Sequence, residues 1–179
     1  MPAPAFSIRS ARVDDLPLLA PLELRAAERF RDSAHPYACD LPAFDATELA
    51  ELQHAGTVWV AVGEHDEPLG FAIAGRLGPD PYLHELDVEP TQARRGIGRA
   101  LIRRVAEWAR ERGDEGLVLS TFCDVPWNGP YYERLGFAVV PERRYTPEMA
   151  ALHARDGLTM RLESRVILRA PLDRLLAAG

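Results

Sequence analysis

The chain has 179 residues, with 21 basic side chains against 27 acidic ones and a formal net charge of −6. All of the basic residues are arginine, and the missing lysine excludes Schiff-base enzymes, ordinary Walker-A NTPases and protein kinases. The acidic balance argues against a general nucleic-acid binder and against a binder of anionic membranes, and the missing lysine leaves any anion to arginine, backbone N–H groups or helix termini.

Phe6 to Arg12 reads as a short strand. Asp14 or Asp15 is placed to cap a helix whose apolar positions are Leu18, Leu19, Leu22 and Ala26. Arg31 to Pro42 is too irregular for regular structure. Asp45 to His54 reads as a second helix, stopped by Gly56. Thr57 to Val62 and Leu69 to Leu77 form a hairpin around His65-Asp66-Glu67-Pro68. Gly78 to Pro81 turns into a strand, Tyr82 to Val88. After Pro90 the period changes: Ile97, Leu101, Val105 and Trp108 recur on one helical face, with Arg103, Glu107, Arg110 and Glu111 on the other. Gly113 ends that helix. Gly116 to Phe122 is a continuous apolar strand, Pro126 to Leu135 contains a short helix, and Phe137 to Val140 is a strand. Glu148 to Arg155 reads as a small helix and Met160 to Leu168 as a last strand. Hairpins followed by strand–helix–strand predict one α+β domain over 1–179, with a curved, mixed, mostly antiparallel sheet flanked by helices.

Cys39 and Cys123 make neither a disulfide framework nor a metal cluster, so both read as reduced thiols and no metal is expected. Met1 to Ala5 lacks the basic and apolar regions of a secretory signal. No apolar run approaches the roughly 20 residues of a membrane span. The expected location is the cytoplasm, and the Ala- and Arg-rich, Lys-free usage suggests a bacterial source.

Two stretches carry chemistry. In the first, the strand Leu83-His84-Glu85-Leu86-Asp87-Val88 runs into a loop, Arg94-Arg95-Gly96-Ile97-Gly98, that opens the long helix. A helix start leaves backbone N–H groups unpaired and carries a partial positive charge. Glycine lets a ligand approach that backbone, and Arg94, Arg95 and Arg99 add charge, so the loop reads as a phosphate cradle. A solvated basic helix start is the competing role. A Rossmann fingerprint is disfavoured because Leu101 stands where the third glycine belongs. In the second, Asp124-Val125-Pro126-Trp127-Asn128-Gly129-Pro130-Tyr131-Tyr132-Glu133-Arg134-Leu135-Gly136-Phe137, Pro130 suits a first helical turn and Gly136 a left-handed C-terminal stop. Tyr131 and Tyr132 also suit a core edge.

Together the two stretches resemble the GNAT superfamily of acyl-CoA-dependent N-acyltransferases. The specific motifs lie between residues 83 and 137, and the wording Asp-Val-Pro-Trp-Asn-x-Pro-aromatic-Tyr is similar to a bacterial subgroup. One departure is Ala93, where the family often carries Gln or Arg. The resemblance implies an N-acetyltransferase that uses acetyl-CoA as cosubstrate and a primary amine, a small molecule by default, as acceptor, by direct attack in a ternary complex. It implies a sheet splayed at the acyl-CoA site. Pantetheine would lie along Leu86, Asp87 and Val88, with the Val88 N–H on the thioester carbonyl. Pyrophosphate would sit on Arg94, Arg95, Gly96, Ile97, Gly98, Arg99 and Ala100. Asn128 and Tyr131 would border the pantetheine, and Tyr132 matches the general acid, with Tyr131 the adjacent alternative.

His84 and Glu85 are the candidates for the base that deprotonates the amine. Strand neighbours point to opposite faces, so only one can face the acceptor; Glu85 is the favoured one. A structural histidine and an ion-paired glutamate are the competing roles. Acceptor identity would be set by Arg31 to Pro42 and Pro141 to Met160, neither of which has a readable pattern. His35, Tyr37 and Cys39 lie in the first of these. Dimers are common in the superfamily, so a homodimer is open. The rival function is a non-catalytic acyl-CoA-binding or sensing module, and a binder of another phosphorylated ligand is a second.

Overall fold

The computed structural model describes residues 6–177; the stretch read for a secretory signal, Met1 to Ala5, lies outside them. Its strands are β1 (Ser7–Ser10), β2 (Val58–Val62), β3 (Pro68–Leu77), β4 (Asp80–Val88), β5 (Gly116–Phe122), β6 (Ala138–Val139) and β7 (Arg165–Pro171). Its helices are α1 (Leu16–Ala27), α2 (Ala46–His54), α3 (Ile97–Arg110), α4 (Gly129–Leu135), α5 (Pro147–Asp156) and α6 (Leu172–Ala177). The sheet order is β1-β2-β3-β4-β5-β7-β6. β1–β2, β2–β3, β5–β7 and β6–β7 are antiparallel, whereas β4 and β5 are parallel, with Tyr82 opposite Val118. Parallel neighbours need a crossover, and α3 supplies it. The α+β class and the mixed, mostly antiparallel sheet agree with the sequence reading.

Two compact units divide the chain, and the first comprises Met1–Ala74 and Glu85–Val105. Its core joins Leu19 and Leu22 of α1, Leu49 of α2, Val58, Val60 and Val62 of β2, and Phe71 and Ile73 of β3. Every residue of β2 is buried, so the strand is covered on both faces. Trp59 is buried as the apolar pattern required, with the Arg104 guanidinium 5.4 Å from its ring centroid.

Two details of α1 differ from expectation. Leu18 is 50% exposed, because the buried stripe runs through Leu19, Leu22 and Ala26. Asp15 makes no side-chain cap on α1. Its carboxylate turns back to accept the Arg12 N–H at 2.6 Å and pairs with Arg9 at 2.6 Å, closing the preceding 3-10 turn. Asp45 does cap α2, accepting from the Thr47 and Glu48 N–H groups at 2.7 and 2.9 Å. The irregular stretch after α1 contains a 3-10 turn, Pro36–Asp40. His35 is buried there with Nδ1 3.1 Å from the Tyr37 hydroxyl, and the Cys39 thiol donates to the Ala27 carbonyl at 3.1 Å.

Gly70 of β3 is set by close approach. A Cβ there would lie 2.7 Å from the Asp87 carbonyl oxygen and 3.2 Å from Val88 Cα. Gly70→Ala is therefore expected to cost about 1–3 kcal/mol, the usual penalty of overpacking, measured as a lowered denaturant midpoint at unchanged slope.

The second unit comprises Gly75–His84 and Ala106–Gly179. Tyr82, Val118, Met149, Leu152 and Ile167 form its core, with Leu77, Val140 and Tyr145 packed against it. β5 pairs with β7 along its whole length, from Gly116 opposite Pro171 to Phe122 opposite Arg165. The last strand starts later than alternation predicts. Residues 162–164 form a 3-10 turn, and Leu162 packs against Gly157, where a Cβ would lie 2.7 Å from Leu162 Cγ. The strand expected over Phe137 to Val140 is reduced to Ala138 and Val139, opposite Arg169 and Leu168. α6 was not anticipated. α5 matches, with the Thr146 hydroxyl capping it through the Met149 N–H.

Candidate active site

In the first unit, β4 ends at Val88 and the chain passes through a 3-10 turn, Pro90–Gln92, before α3. Arg94 has φ +65° and Gly96 φ +84°, so two of three consecutive residues occupy left-handed backbone. Arginine pays for that conformation, whereas Gly96 adopts it freely, and the space where its Cβ would sit is open. Such alternation turns successive N–H groups toward one side and makes an anion-binding concavity. The Ala100 N–H donates to the Gly96 carbonyl at 3.0 Å, so Ile97, Gly98 and Arg99 form the first helical turn, whose N–H groups have no intrahelical partner. Arg94, Arg95, Gly96 and Arg99 are exposed, while Ile97 is buried and anchors the turn.

The same unit gathers charge around the end of β4. Arg25 of α1 pairs with Glu89 at 2.8 Å, which holds the helix beside the strand end. Glu23, on the same helix, accepts the Phe44 N–H at 3.2 Å. Burial and the neighbouring Glu85 carboxylate push Glu23 up to about 7. Burial and the charges of Glu85 and Glu23 likewise raise Asp87 well above the usual carboxylate range, against the pull of Arg29. Arg29 lies near both Asp87 and Arg94. Sequence reasoning missed Glu23 and Arg29. Glu23 was legible: it stands four residues after Leu19, between Leu22 and Ala26, a charge inside the buried stripe of α1.

The second unit holds His84, Asn128, Tyr131 and Tyr132. His84 has an exposed face and packs edge-on against Tyr82, with ring centroids 5.3 Å apart. Crowding by protein and the positive charge of Arg155 lower its pKa below the ordinary imidazole value, so it is neutral at pH 7 and able to accept a proton. α4 is fixed at both ends. The Tyr132 N–H donates to the Asn128 carbonyl at 3.0 Å, and Gly136 closes the helix at φ +104°. Tyr132 is buried against Phe137, ring centroids 5.6 Å apart, while Tyr131 is half-buried beside it. Tyr132 thus lies on the buried side of α4 and Tyr131 on its half-buried side.

Among the described residues no helix is long and apolar enough to cross a membrane. A basic left-handed turn thus opens an amphipathic helix after a strand, and a further strand and a short tyrosine-bearing helix follow in the chain. Residues 22–137 match the family model described as the Acetyltransferase (GNAT) family, and the chain belongs to that family. It is 35% identical over 100 residues to the streptothricin acetyltransferase of Streptomyces lavendulae, which covers 52% of this chain and 51% of that protein. The chain thus spans about half the length of the curated relative it matches.

Solved structures share the fold. The PaiA N-acetyltransferase of Thermoplasma acidophilum, in complex with coenzyme A, superimposes with a TM-score of 0.70 at 13% identity, over 93% of this chain and 98% of that one. A GNAT-family acetyltransferase of Staphylococcus aureus gives a TM-score of 0.71 at 16% identity, over 94% and 99% of the two chains.

Proposed function

We propose that the chain is an N-acetyltransferase that moves an acetyl group from acetyl-CoA to a primary amine, with residues 1–179 acting as one transferase domain. The reading is supported above all by the turn at Arg94 and Gly96, two left-handed residues set in exposed arginines ahead of an open helix turn. Pyrophosphate sits on the N–H groups from Arg94 to Gly98, with Arg99 and Ala100 in the next part of the helix. Pantetheine runs along Leu86, Asp87 and Val88. The Val88 N–H polarises the thioester carbonyl, Asn128 and Tyr131 border the pantetheine, and Tyr132 protonates the departing thiolate. The amine attacks directly in a ternary complex, with no covalent enzyme intermediate. Glu85 and His84 remain the strand residues that could serve as base.

The similarity to a streptothricin acetyltransferase supports a small-molecule amine as acceptor, contacted by residues of Arg31 to Pro42 and Pro141 to Met160. We place the reaction in the bacterial cytoplasm, and the motif from Asp124 to Tyr132 in a bacterial subgroup of the family. A homodimer is the assembly to look for by sedimentation.

Calorimetry with CoA tests the donor side, and absence of heat at millimolar CoA would refute it. An amine panel with acetyl-CoA, followed by free-thiol release, tests the transfer; CoA binding without amine-dependent release would favour the non-catalytic module. Gly96→Val is expected to weaken CoA binding about tenfold. A valine in the free chain relaxes the turn to escape a left-handed φ costing on the order of 1–2 kcal/mol and must restore it to hold the pyrophosphate, and about 1.4 kcal/mol is tenfold in affinity.

A further inference from the structure

We propose that Glu23 of α1 is a catalytic residue, the group that takes the proton from the acceptor's ammonium. The inference rests on the transfer reaction proposed above and adds to it a base that belongs to neither strand candidate.

The geometry comes first. Arg25, two residues on, pairs with Glu89 just past β4 and so holds α1 beside the strand end where the thioester is placed. Glu23 Oε2 accepts the Phe44 N–H at 3.2 Å, which fixes the carboxylate's orientation. Glu85 and Asp87 are two residues apart on β4, hence on one face of the strand, and both are close enough to act on Glu23 or be acted on by it. The charged groups around Glu23 are therefore Glu85 and Asp87 from β4 and Glu48 from α2, with Arg29 of the segment after α1 reaching Asp87. Of these carboxylates, Glu85 accepts its own neighbour's N–H, from Leu86 at 3.1 Å, and Asp87 is itself raised well above the usual carboxylate range by burial and by Glu85 and Glu23, against the pull of Arg29. Glu23 titrates near neutrality, at about 7. A base in that range accepts a proton from an ammonium and returns it to solvent within one turnover, which an ordinary glutamate near 4.3 does far less readily.

The step balances. One N–H bond of the ammonium breaks and its proton passes to the Glu23 carboxylate, which becomes a neutral acid. The freed nitrogen lone pair forms the N–C bond to the thioester carbon. The C–S bond then breaks, the thiolate takes a proton from Tyr132, and the nitrogen sheds its second proton as the amide forms, a proton that passes through solvent to restore the Tyr132 hydroxyl. Glu23 returns its proton to water, so each turnover releases one proton overall.

The same crowding makes a stability claim with a definite sign. A carboxyl group whose pKa is higher folded than unfolded binds more protons in the native state between the two values, so its contribution falls as pH rises through about 7. Glu23→Gln removes that repulsion and is expected to melt no lower than the wild type at pH 8, so a loss of activity is not misfolding.

The experiment has two arms. In the first, 13C NMR follows the Glu23 carboxylate of the wild-type chain without substrate, assigned through Glu23→Gln. A midpoint near 7 is expected, and a midpoint in the ordinary glutamate range overturns the proposal whatever the activity. In the second, kcat/KM for an accepted amine is profiled against pH. Wild type should lose activity below about pH 7. Glu23→Gln should lose at least tenfold at pH 7 and recover steadily toward pH 9 as free amine accumulates, while Glu85→Gln should keep an acid limb but move it to lower pH, because it removes a charge that raises Glu23. An unchanged limb in Glu23→Gln, with Glu85→Gln or His84→Gln abolishing it, overturns the proposal while leaving the transferase reading intact. Absence of any amine-dependent thiol release from the wild type counts against the transferase reading, and against the base with it.

Discussion

Tyr132→Phe should lower kcat by roughly 100-fold and leave the CoA dissociation constant within about threefold. General acid catalysis contributes roughly 100- to 10,000-fold, and a thiolate is a good leaving group, which places this case at the low end. The substitution isolates the hydroxyl. The Tyr132 ring is buried and meets Phe137 edge-on with centroids 5.6 Å apart, and phenylalanine keeps that packing. The α4 backbone bonds that bracket it, from the Tyr132 N–H to Asn128 and from the Phe137 N–H to the Tyr132 carbonyl, are untouched by the change. Tyr131→Phe is the control: half-buried and adjacent, it should alter turnover far less. Free-thiol release gives kcat, and calorimetry gives the CoA constant for each variant. Full turnover in Tyr132→Phe would move the acid elsewhere.

What the sequence made legible follows from where the information is local. The α3 stripe of Ile97, Leu101, Val105 and Trp108 is buried as its spacing required, because helical period is a property of neighbouring residues. The Gly96 turn was legible for the same reason, since only a flexible residue suits φ +84°. Asp15 was misread because two acceptors competed for one carboxylate. A cap on α1 was the local option, but Arg9 and the Arg12 N–H, brought close by the 3-10 turn, won. The β7 start was misread because alternation from Met160 gives no sign that Leu162 will pack on Gly157. The charge cluster was hidden for a third reason. Glu23 and Asp87 are 64 positions apart in the sequence, and only the fold decides that two carboxylates share a site. A single line of the pattern, a glutamate in an apolar stripe, pointed there.

Asp156→Ala is expected to destabilise the chain by about 3–5 kcal/mol, the cost of leaving one partner of a buried ion pair alone. For a chain of this length that is a fall in Tm of roughly 10 °C. Asp156 and Arg165 meet at 2.9 Å, with side chains only 9% and 10% exposed. Ser120 ties the pair to β5: its hydroxyl donates to Asp156 at 2.7 Å and accepts from Arg165 at 2.8 Å. Arg165 also stacks over Phe122, its guanidinium carbon 4.8 Å from the ring centroid. The network therefore joins the end of α5, the start of β7 and the middle of β5 within the second unit. Its worth lies in being complete rather than in being ionic. Asp156→Ala combined with Arg165→Met should recover much of the lost stability, because both charges go and the methionine keeps contact with Phe122. Asp156 also acts on His84, holding the imidazole pKa up against Arg155 and burial. Removing the carboxylate should thus lower the His84 midpoint further, a shift that proton NMR of the imidazole reads directly. A fall in Tm without that shift would mean that the network braces the fold but does not reach the strand carrying the site.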